Sequence, residues 1–289
     1  MVWPLAGDRP PEGLLTMAIA SLEFDYIRSL VLARSALVLE PGKEYLVESR
    51  LEPLALQEGF PSLGQLIECL RKNSFGPLHR KVVEALATSE TMFFRDVRPW
   101  DVLRTIVLPE LVKKRERERI LNVWCSACSS GQEPYSVAML IREHFPAIVG
   151  WKLRIIASDI SRDVLARARQ GSYSQLEVNR GLPAPLLLKY FAKKDDRWQL
   201  KEEVRRMVEF LEINLVEPWP AMPAMDIIFM RNVLIYVGVD MKKAVLAKVR
   251  RLLKPDGVLL LGGSESTIYL DESFEPFPAG RPALFRVRV

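Results

Sequence analysis

The chain has 289 residues, of which 49% are hydrophobic and 27% are charged, and its formal net charge is +5. Single domains usually have about 100–200 residues, so this length predicts two domains with ordinary apolar cores. No apolar run reaches the ~18 residues that a membrane-spanning helix needs, and the first residues contain acids and prolines, unlike a signal peptide. We therefore expect a cytoplasmic protein that does not insert into membranes.

The positive charge is unevenly placed along the chain. Basic residues cluster in 113–119 and 154–169, whereas the first 90 residues are acidic overall. A basic protein raises the question of nucleic-acid binding. These clusters lack interleaved aromatic residues, so solvated helix faces explain them better, and an acidic protein surface is the intermediate alternative. We expect no nucleic-acid partner.

The three cysteines are Cys69, Cys125 and Cys128, and the last two form a C-x-x-C. This spacing is typical of redox and zinc sites. A zinc site would need further ligands, but the chain has no second C-x-x-C and no histidine pair. We interpret the thiols as packing groups and predict no metal.

The N-terminal third reads as a tail followed by helices. Residues 1–18 contain prolines without a period and predict a flexible tail. From Phe24 onward, apolar residues recur every three to four positions, including Leu46, Leu51, Leu54 and Leu56. This spacing predicts a small all-α domain over 19–88.

Residues 89–119 read as a linker and a long helix, about Trp100 to Arg117, before a second domain at 120–289. In that domain, apolar strands alternate with helical segments, which predicts a doubly wound, mostly parallel sheet of the Rossmann-like kind. The predicted strands are Ile120–Ser126, Leu153–Ser158, Val208–Ile213, Asp226–Arg231, Val258–Gly262 and one near Ala283–Val287. The predicted helices are Glu133–His144, Arg162–Gln170 and Asp240–Leu253.

The segment NVWCSACSSGQEPYS, residues 122–136, joins the first of these strands to a helix. Small residues and a glycine allow a ligand to approach the backbone, and the first amides of the helix point towards it. Glu133 would repel a pyrophosphate, but it could accept hydrogen bonds from a ribose or an amino group. The segment therefore favours an adenosine that bears an amino acid over a dinucleotide.

Four sequence blocks stand out in chain order: SETMFFRD (89–96), WCSACSSGQEPYS (124–136), ASDIS (157–161) and FMRNVLIYV (229–237). Together they resemble the motifs of the CheR family of S-adenosylmethionine-dependent chemotaxis receptor methyltransferases. The resemblance spans about residues 20–289 and includes an N-terminal RL element and a closing GGSES. It implies a class I methyltransferase domain, a helical domain before it and a small β-subdomain at about 190–208. The implied reaction transfers a methyl group from S-adenosylmethionine to a glutamate side chain, leaving S-adenosylhomocysteine.

The resemblance also implies where the cofactor and the substrate bind. It assigns cofactor contacts to Thr91, Arg95, Ala127, Glu133, Asp159, Asn214, Leu215, Arg231 and Asn232. Asp159 suits the hydroxyls of a ribose, although it could instead cap the following helix. Asn214 and Leu215 would read the adenine, although an asparagine here could simply form a turn.

Arg95 and Tyr236 are the candidate catalytic residues. Arg95 would neutralise a carboxylate, either that of the cofactor or that of the substrate glutamate. A glutamate, with a reference pKa of about 4.3, is already ionised at neutral pH, so the reaction needs alignment rather than a strong base. Both histidines, His79 and His144, lie outside the motifs.

The family docks the glutamate-bearing helices of chemoreceptors on its helical domain, so such helices are the expected partner. Members that bind a receptor's C-terminal pentapeptide tether have a glycine-containing loop in the β-subdomain. The corresponding segment here, AKKDDRWQLKEEV, has no glycine, which predicts independence from a tether. We expect a monomer. Two other functions stay open at this point: a cofactor-binding regulatory module without turnover, and RNA methylation.

Overall fold

The computed structural model describes residues 19–277 and 283–288, which form two compact units. The smaller unit comprises residues 19–30 and Leu39–Leu86, and the larger one comprises Val31–Val38 and the chain from Ala87 onward. The predicted tail, residues 1–18, lies outside the described residues. The domain limits drawn from the sequence stay predictions.

The smaller unit is helical. Its helices are α1 (Ser21–Ser35, whose last residues belong to the larger unit), α2 (Glu44–Gln57), α3 (Leu63–Lys72) and α4 (Pro77–Leu86). The hydroxyl of Ser62 caps α3 by accepting the amide of Gln65 at 3.3 Å. Periodicity alone misplaced part of the buried face of α2. That face consists of Val47, Leu51 and Ala55, whereas Leu56 is 68% exposed.

The larger unit is built on a seven-stranded mixed sheet. Its strands are β1 (Ile120–Ser126), β2 (Lys152–Asp159), β6 (Val208–Glu212), β7 (Met225–Met230), β8 (Leu253–Leu261), β9 (Phe274–Pro276) and β10 (Leu284–Val287). Their spatial order is β6-β2-β1-β7-β8-β10-β9. The first five run parallel, and β10 pairs antiparallel with both β8 and β9. The predicted doubly wound sheet is confirmed.

The central strands are buried on both faces. Along β1, Val123 and Cys125 face one apolar core, whereas Trp124 between them belongs to the other. On β7, Phe229 faces the first of these cores and Ile228 faces the second. Alternation between two cores explains why these strands read as continuous apolar runs rather than as alternating ones.

Helices connect and cover the strands. They are α5 (Val97–Val102), α6 (Leu108–Arg115), α7 (Gln132–His144), α8 (Arg162–Gln170), α9 (Gln175–Asn179), α10 (Ala184–Tyr190), α11 (Glu202–Arg205) and α12 (Val239–Leu252). A π-helical stretch, Leu103–Val107, joins α5 to α6, so the predicted long helix is present but not regular. None of the helices in residues 19–277 and 283–288 combines the length and apolar character that crossing a bilayer requires.

A small antiparallel sheet lies between α8 and β6 in the chain. It consists of β3 (Ser172–Ser174), β5 (Arg197–Leu200) and β4 (Phe191–Lys194) in that spatial order. The predicted β-subdomain at about 190–208 supplies two of these strands. The third, β3, precedes it in sequence and had not been predicted.

A charged network lies where β7 begins. Asp226 is fully buried, and its carboxylate accepts hydrogen bonds from Arg115 Nε (2.7 Å), Lys254 Nζ (2.9 Å) and the amide of Asn122 (2.9 Å). Arg115 also pairs with Asp256. The network links α6, β1, β7 and β8 at the end of the sheet opposite the carboxyl ends of the parallel strands.

Candidate functional site

The order of the parallel strands reverses at β1. The chain continues from β1 to β2 and β6 on one side, whereas β7 and β8 lie on the other side. In open α/β sheets, ligands bind beyond the carboxyl ends of the strands at such a point. A pocket lies there, and all ten predicted site residues line it. They are Thr91, Arg95, Ala127, Glu133, Asp159, Asn214, Leu215, Arg231, Asn232 and Tyr236.

The turn from β1 to α7 forms the floor of this pocket. Ala127, Ser129 and Gly131 all have positive φ angles, of 52°, 50° and 93°. A side chain at Gly131 would approach Ala168 within 3.0 Å, so the start of α7 packs directly against α8. The predicted role of the small residues therefore has a second part: they admit a neighbouring helix as well as a ligand.

Asp159 ends β2 and faces the pocket. Its carboxylate accepts the amides of Ser129 at 2.9 Å and Ser161 at 3.0 Å. Burial raises the pKa of Asp159, and its hydrogen bonds with backbone amides oppose that rise. The side chain that caps α8 is that of Ser161, which accepts the amide of Val164. Asp159 therefore supports the turn around the pocket rather than serving as the cap of α8.

Glu133 and Arg231 form an ion pair across the pocket. Arg231 Nη1 lies 3.1 Å from Glu133 Oε2, while its Nη2 contacts Asp96 Oδ2 at 2.7 Å and the carbonyl of Arg95 at 2.9 Å. Burial raises the pKa of Glu133, and the Arg231 guanidinium partly opposes that effect. Arg231 thereby joins the end of β7 to the loop that precedes α5.

Two buried polar atoms of the pocket lining have no partner within the described protein. They are Nε of Arg231, which is a donor, and Oδ1 of Asn232, which is an acceptor. Buried polar atoms are nearly always hydrogen-bonded, so an unpaired one needs an explanation. A ligand that carries both an anionic and a cationic group would satisfy both atoms.

Asn214 and Leu215 line the pocket after β6. The Asn214 side chain already bonds on both sides: Nδ2 donates to the carbonyl of Arg34 at 2.8 Å, and Oδ1 accepts the amide of Val216 at 3.3 Å. The amide group has two N–H donors, so one remains for a ligand. The turn-forming alternative and the ligand-binding one are thus compatible.

The loop of residues 89–96 lies over the pocket and is fixed at several points. Phe93 is fully buried against Tyr173 and Phe191, so it is a core residue. A side chain at Gly181 would lie 2.0 Å from the carbonyl oxygen of Phe93. Arg95 Nη1 donates to the carbonyl of Glu90 at 3.3 Å, and the arginine lines the pocket. Phe93 thus fixes the loop to the core, and Arg95 faces the pocket.

Backbone strain is concentrated at this site. Five non-glycine residues with positive φ lie in the pocket lining or beside it: Phe94, Asp96, Ala127, Ser129 and Asn232. Each such residue costs on the order of 1–3 kcal/mol, and strained residues of this kind cluster at functional sites. The strain is a further indication that this pocket is where the protein acts.

Sequence reasoning missed several residues of the lining. Glu90 and Ser129 lie inside two quoted motifs, so the motifs gave a signal that was not used. Ser35 and Leu37 gave none, because they lie at the end of α1 and just beyond it, far upstream in the chain. Leu37 forms an isolated antiparallel bridge with Val237, which brings this segment to the wall that carries Tyr236.

The C-x-x-C does not resemble a metal or redox site in the structure. Cys125 and Cys128 are both buried free thiols, and burial raises the pKa of each well above its usual value. Within residues 19–277 and 283–288, no cluster of histidine, cysteine and acidic side chains could hold a metal ion. Both cysteines pack in the core beneath the turn.

Comparison with known proteins covers nearly the whole chain. Residues 22–87 match the family described as CheR methyltransferase, all-alpha domain, and residues 89–281 match CheR methyltransferase, SAM binding domain. Chemotaxis protein methyltransferase 1 of Pseudomonas aeruginosa is 38% identical over 94% of this chain and 100% of its own length. Chemotaxis protein methyltransferase Cher2 of Pseudomonas putida is 38% identical over 90% and 95%. A chemotaxis protein methyltransferase of Vibrio parahaemolyticus is 37% identical over 91% and 95%.

Proposed function

The chain belongs to the CheR methyltransferase family and is an S-adenosylmethionine-dependent methyltransferase of chemotaxis, and we propose that its methyl acceptors are glutamate side chains on the cytoplasmic helices of chemoreceptors. The product at each acceptor is a glutamate methyl ester. The observation that carries this proposal is the meeting of all ten predicted site residues in one pocket at the switch point of the sheet.

The polar groups of the pocket fit the cofactor. S-adenosylmethionine supplies, when bound, a methyl group on a sulfonium, and it carries a ribose and an amino acid. Glu133 and the unpaired Oδ1 of Asn232 would accept from its ammonium group, and the unpaired Nε of Arg231 would donate to its carboxylate. Asp159 would accept from the ribose hydroxyls, and Asn214 with Leu215 would hold the adenine.

Arg95 and Tyr236 lie on the part of the lining that we assign to the substrate. Both are partly exposed, as residues that meet an incoming side chain must be. Arg95 would orient the substrate carboxylate, and the Tyr236 hydroxyl would donate a hydrogen bond to it. An ionised glutamate needs no general base, so alignment and exclusion of water account for the acceleration.

We propose that the chemoreceptor is the macromolecular partner and that nucleic acid is not. In the larger unit, three arginines of the basic cluster are paired with acids: Arg154 with Glu209, Arg162 with Glu212, and Arg167 with Glu177. A phosphate-binding face needs cations free to replace counterions. We further propose that the protein acts as a cytoplasmic monomer and docks the receptor through its helical unit.

We also propose that the protein does not depend on a receptor tether. The hairpin between β4 and β5 turns through Asp195, which has a φ of 54°, and Asp196. These two acids stand where tether-binding members have a glycine-containing loop. Titration of a receptor's C-terminal pentapeptide into the protein should give no heat in calorimetry, and micromolar or tighter binding would contradict the proposal.

Methyl transfer itself provides the test. The purified protein would be incubated with methyl-labelled S-adenosylmethionine and receptor-enriched membranes, and the receptor band would then be treated with mild alkali. Label that alkali releases identifies a glutamyl ester and supports the proposal. Asp163→Ala serves as a surface control near the cofactor site and should retain transfer, whereas Asp159→Ala should lose most of it at low cofactor concentration.

The negative outcome is equally informative. If the protein binds the cofactor but transfers no label to receptors, the receptor assignment is wrong. Adding soluble proteins from the same cells would then identify another acceptor. Cofactor binding without any acceptor would point to a regulatory module.

A further inference from the structure

Glu265, in the GGSES motif after β8, is a buried carboxylate whose partners are backbone amides. Its Oε2 accepts the amides of Gly262 at 2.6 Å and Asn232 at 2.7 Å. Its Oε1 accepts the amides of Val233 at 2.9 Å and Ile235 at 3.2 Å. The residue is 8% exposed. Four donors converge on one side chain, and three of them come from the loop that follows β7.

A carboxylate matches this arrangement of four donors. A carboxylate has acceptor sites on both oxygens, whereas a glutamine would present an NH₂ group that cannot accept a hydrogen bond from an amide. Position 262 also lies too close to Glu265 and Asn232 to carry a side chain. A side chain at Gly262 would lie 2.7 Å from Glu265 Oε2 and 2.7 Å from Asn232 Nδ2. The position therefore specifies both a carboxylate at Glu265 and a glycine at position 262.

The loop that Glu265 holds forms one wall of the pocket. Asn232 has a φ of 57°, a left-handed conformation that costs energy in a residue other than glycine. The hydrogen bond from its amide to Glu265 stabilises this conformation. The loop continues into the short 3₁₀ turn Leu234–Tyr236, and Asn232 and Tyr236 both line the pocket.

We infer that Glu265 is a positioning residue for methyl transfer, which fixes the Asn232–Tyr236 wall through its four amide hydrogen bonds. The inference rests on the proposed function, because it assigns the wall to the reacting groups. Glu265 itself has no role in bond formation. It acts by holding the Tyr236 hydroxyl and the side-chain amide of Asn232 in place. Displacements of about 1 Å in a reacting geometry cost up to about 100-fold in rate.

The test compares Glu265→Gln with Glu275→Gln. Glu275 lies on β9 of the same unit and pairs with Arg286 at 2.7 Å, away from the pocket lining. At saturating cofactor, Glu265→Gln should lower kcat roughly 10- to 100-fold, while Glu275→Gln should leave it unchanged. Glu265→Asp, which keeps the carboxylate, should recover part of the loss. Rates would be corrected for the folded fraction determined from thermal unfolding.

A second readout does not depend on the substrate. Amide hydrogen exchange in residues 231–237 should be slow in the unchanged protein and roughly fivefold faster in Glu265→Gln, because each lost hydrogen bond is worth about 1 kcal/mol, a factor of about five. Exchange in β1 should not change. Unaltered exchange in 231–237, or an unaltered kcat for each folded molecule, would overturn the inference. If the unchanged protein transfers no methyl group, the proposed function fails and this inference with it, whatever the exchange data show.

Discussion

Arg231 and Glu133 are joined by an ion pair at 3.1 Å, and their side chains are only 2% and 12% exposed. A buried ion pair contributes little net stability, because desolvation of both charges offsets their attraction. It does fix the direction of both groups. In this site, it holds the Glu133 carboxylate at the start of α7 while Nε of Arg231 stays unpaired.

The affinity for the cofactor should depend on the ionisation of Glu133. Burial raises the pKa of this carboxyl above its usual value, and only the ionised form can pair with an ammonium group. Affinity should therefore weaken as the pH falls through that raised pKa, a window that lies above the reference value of about 4.3. Calorimetry with S-adenosylhomocysteine from pH 8 to pH 5 measures this dependence.

The controls are Glu133→Gln and Glu143→Gln. Glu133→Gln should bind more weakly and lose the pH dependence, whereas Glu143→Gln, at the other end of α7, should keep it.

The raised pKa of Glu133 should change folding stability in the opposite direction when the cofactor is absent. The folded state binds the proton more tightly, so this contribution to stability is present at low pH and is lost as the pH rises through the pKa.

Asp159→Ala should weaken cofactor binding by roughly 1–3 kcal/mol, the cost of leaving polar partners unmatched. The substitution removes the acceptor for the amides of Ser129 and Ser161 as well as the proposed ribose contact. Asp163→Ala, in the exposed first turn of α8, should bind normally. Equal affinities of the two variants, measured by calorimetry, would remove Asp159 from the site.

A comparison of Gly181→Ala with Gly59→Ala separates the cost of a left-handed backbone from the cost of a steric clash. Their φ angles are +83° and +82°, but a Cβ at Gly59 meets nothing within 4 Å, whereas one at Gly181 would lie 2.0 Å from the Phe93 carbonyl oxygen. Gly59→Ala should cost about 1–2 kcal/mol for the left-handed conformation. Gly181→Ala should cost a further ~1–3 kcal/mol from overpacking. Denaturant unfolding measures both.

The two glycine variants should also differ in cofactor binding. Displacement of Phe93 would move the adjoining loop that carries Thr91 and Arg95. Gly181→Ala should therefore weaken binding, and Gly59→Ala should not. Normal binding by folded Gly181→Ala would show that the loop position does not depend on this contact.

Asp226→Asn should destabilise the larger unit by about 3–5 kcal/mol, because Arg115 and Lys254 would lose their buried counter-charge. Glu209→Gln, which breaks the exposed pair with Arg154, should cost less than about 1 kcal/mol. Urea denaturation of both variants provides the comparison. A similar small loss in both would mean that the Asp226 network is not a stabilising anchor.

Much of the larger unit could be predicted from sequence, because its signals are local. The apolar run Ile120–Ser126 and the helix Arg162–Gln170 have the predicted limits. The ten predicted site residues also meet in one pocket, because the motifs fall at strand ends and parallel strands place those ends together. The residues brought in from elsewhere, such as Leu37, depend on long-range pairing that no local pattern encodes.

Two other features were beyond local reasoning for different reasons. Strand β3 has only three residues, too few for a period, and it exists because β5 pairs with it. Glu265 lay in a recognised motif, but three of its four amide partners, Asn232, Val233 and Ile235, are 30 or more positions earlier in the chain. A carboxylate that serves the backbone of a distant loop looks, in sequence, like any surface acid.

Mutations near the start of strand β7 and mutations just after its end should affect different properties of the protein. Asp226, near its start, belongs to the charged network, and Arg231 and Asn232 follow its end. At about 3.3 Å per residue, about 17 Å separate Asp226 from Arg231. Selection for a new methyl acceptor could therefore diversify the residues after Asn232 while the cofactor contacts and the Asp226 network stay intact, so that stability and specificity evolve at different rates along one part of the chain.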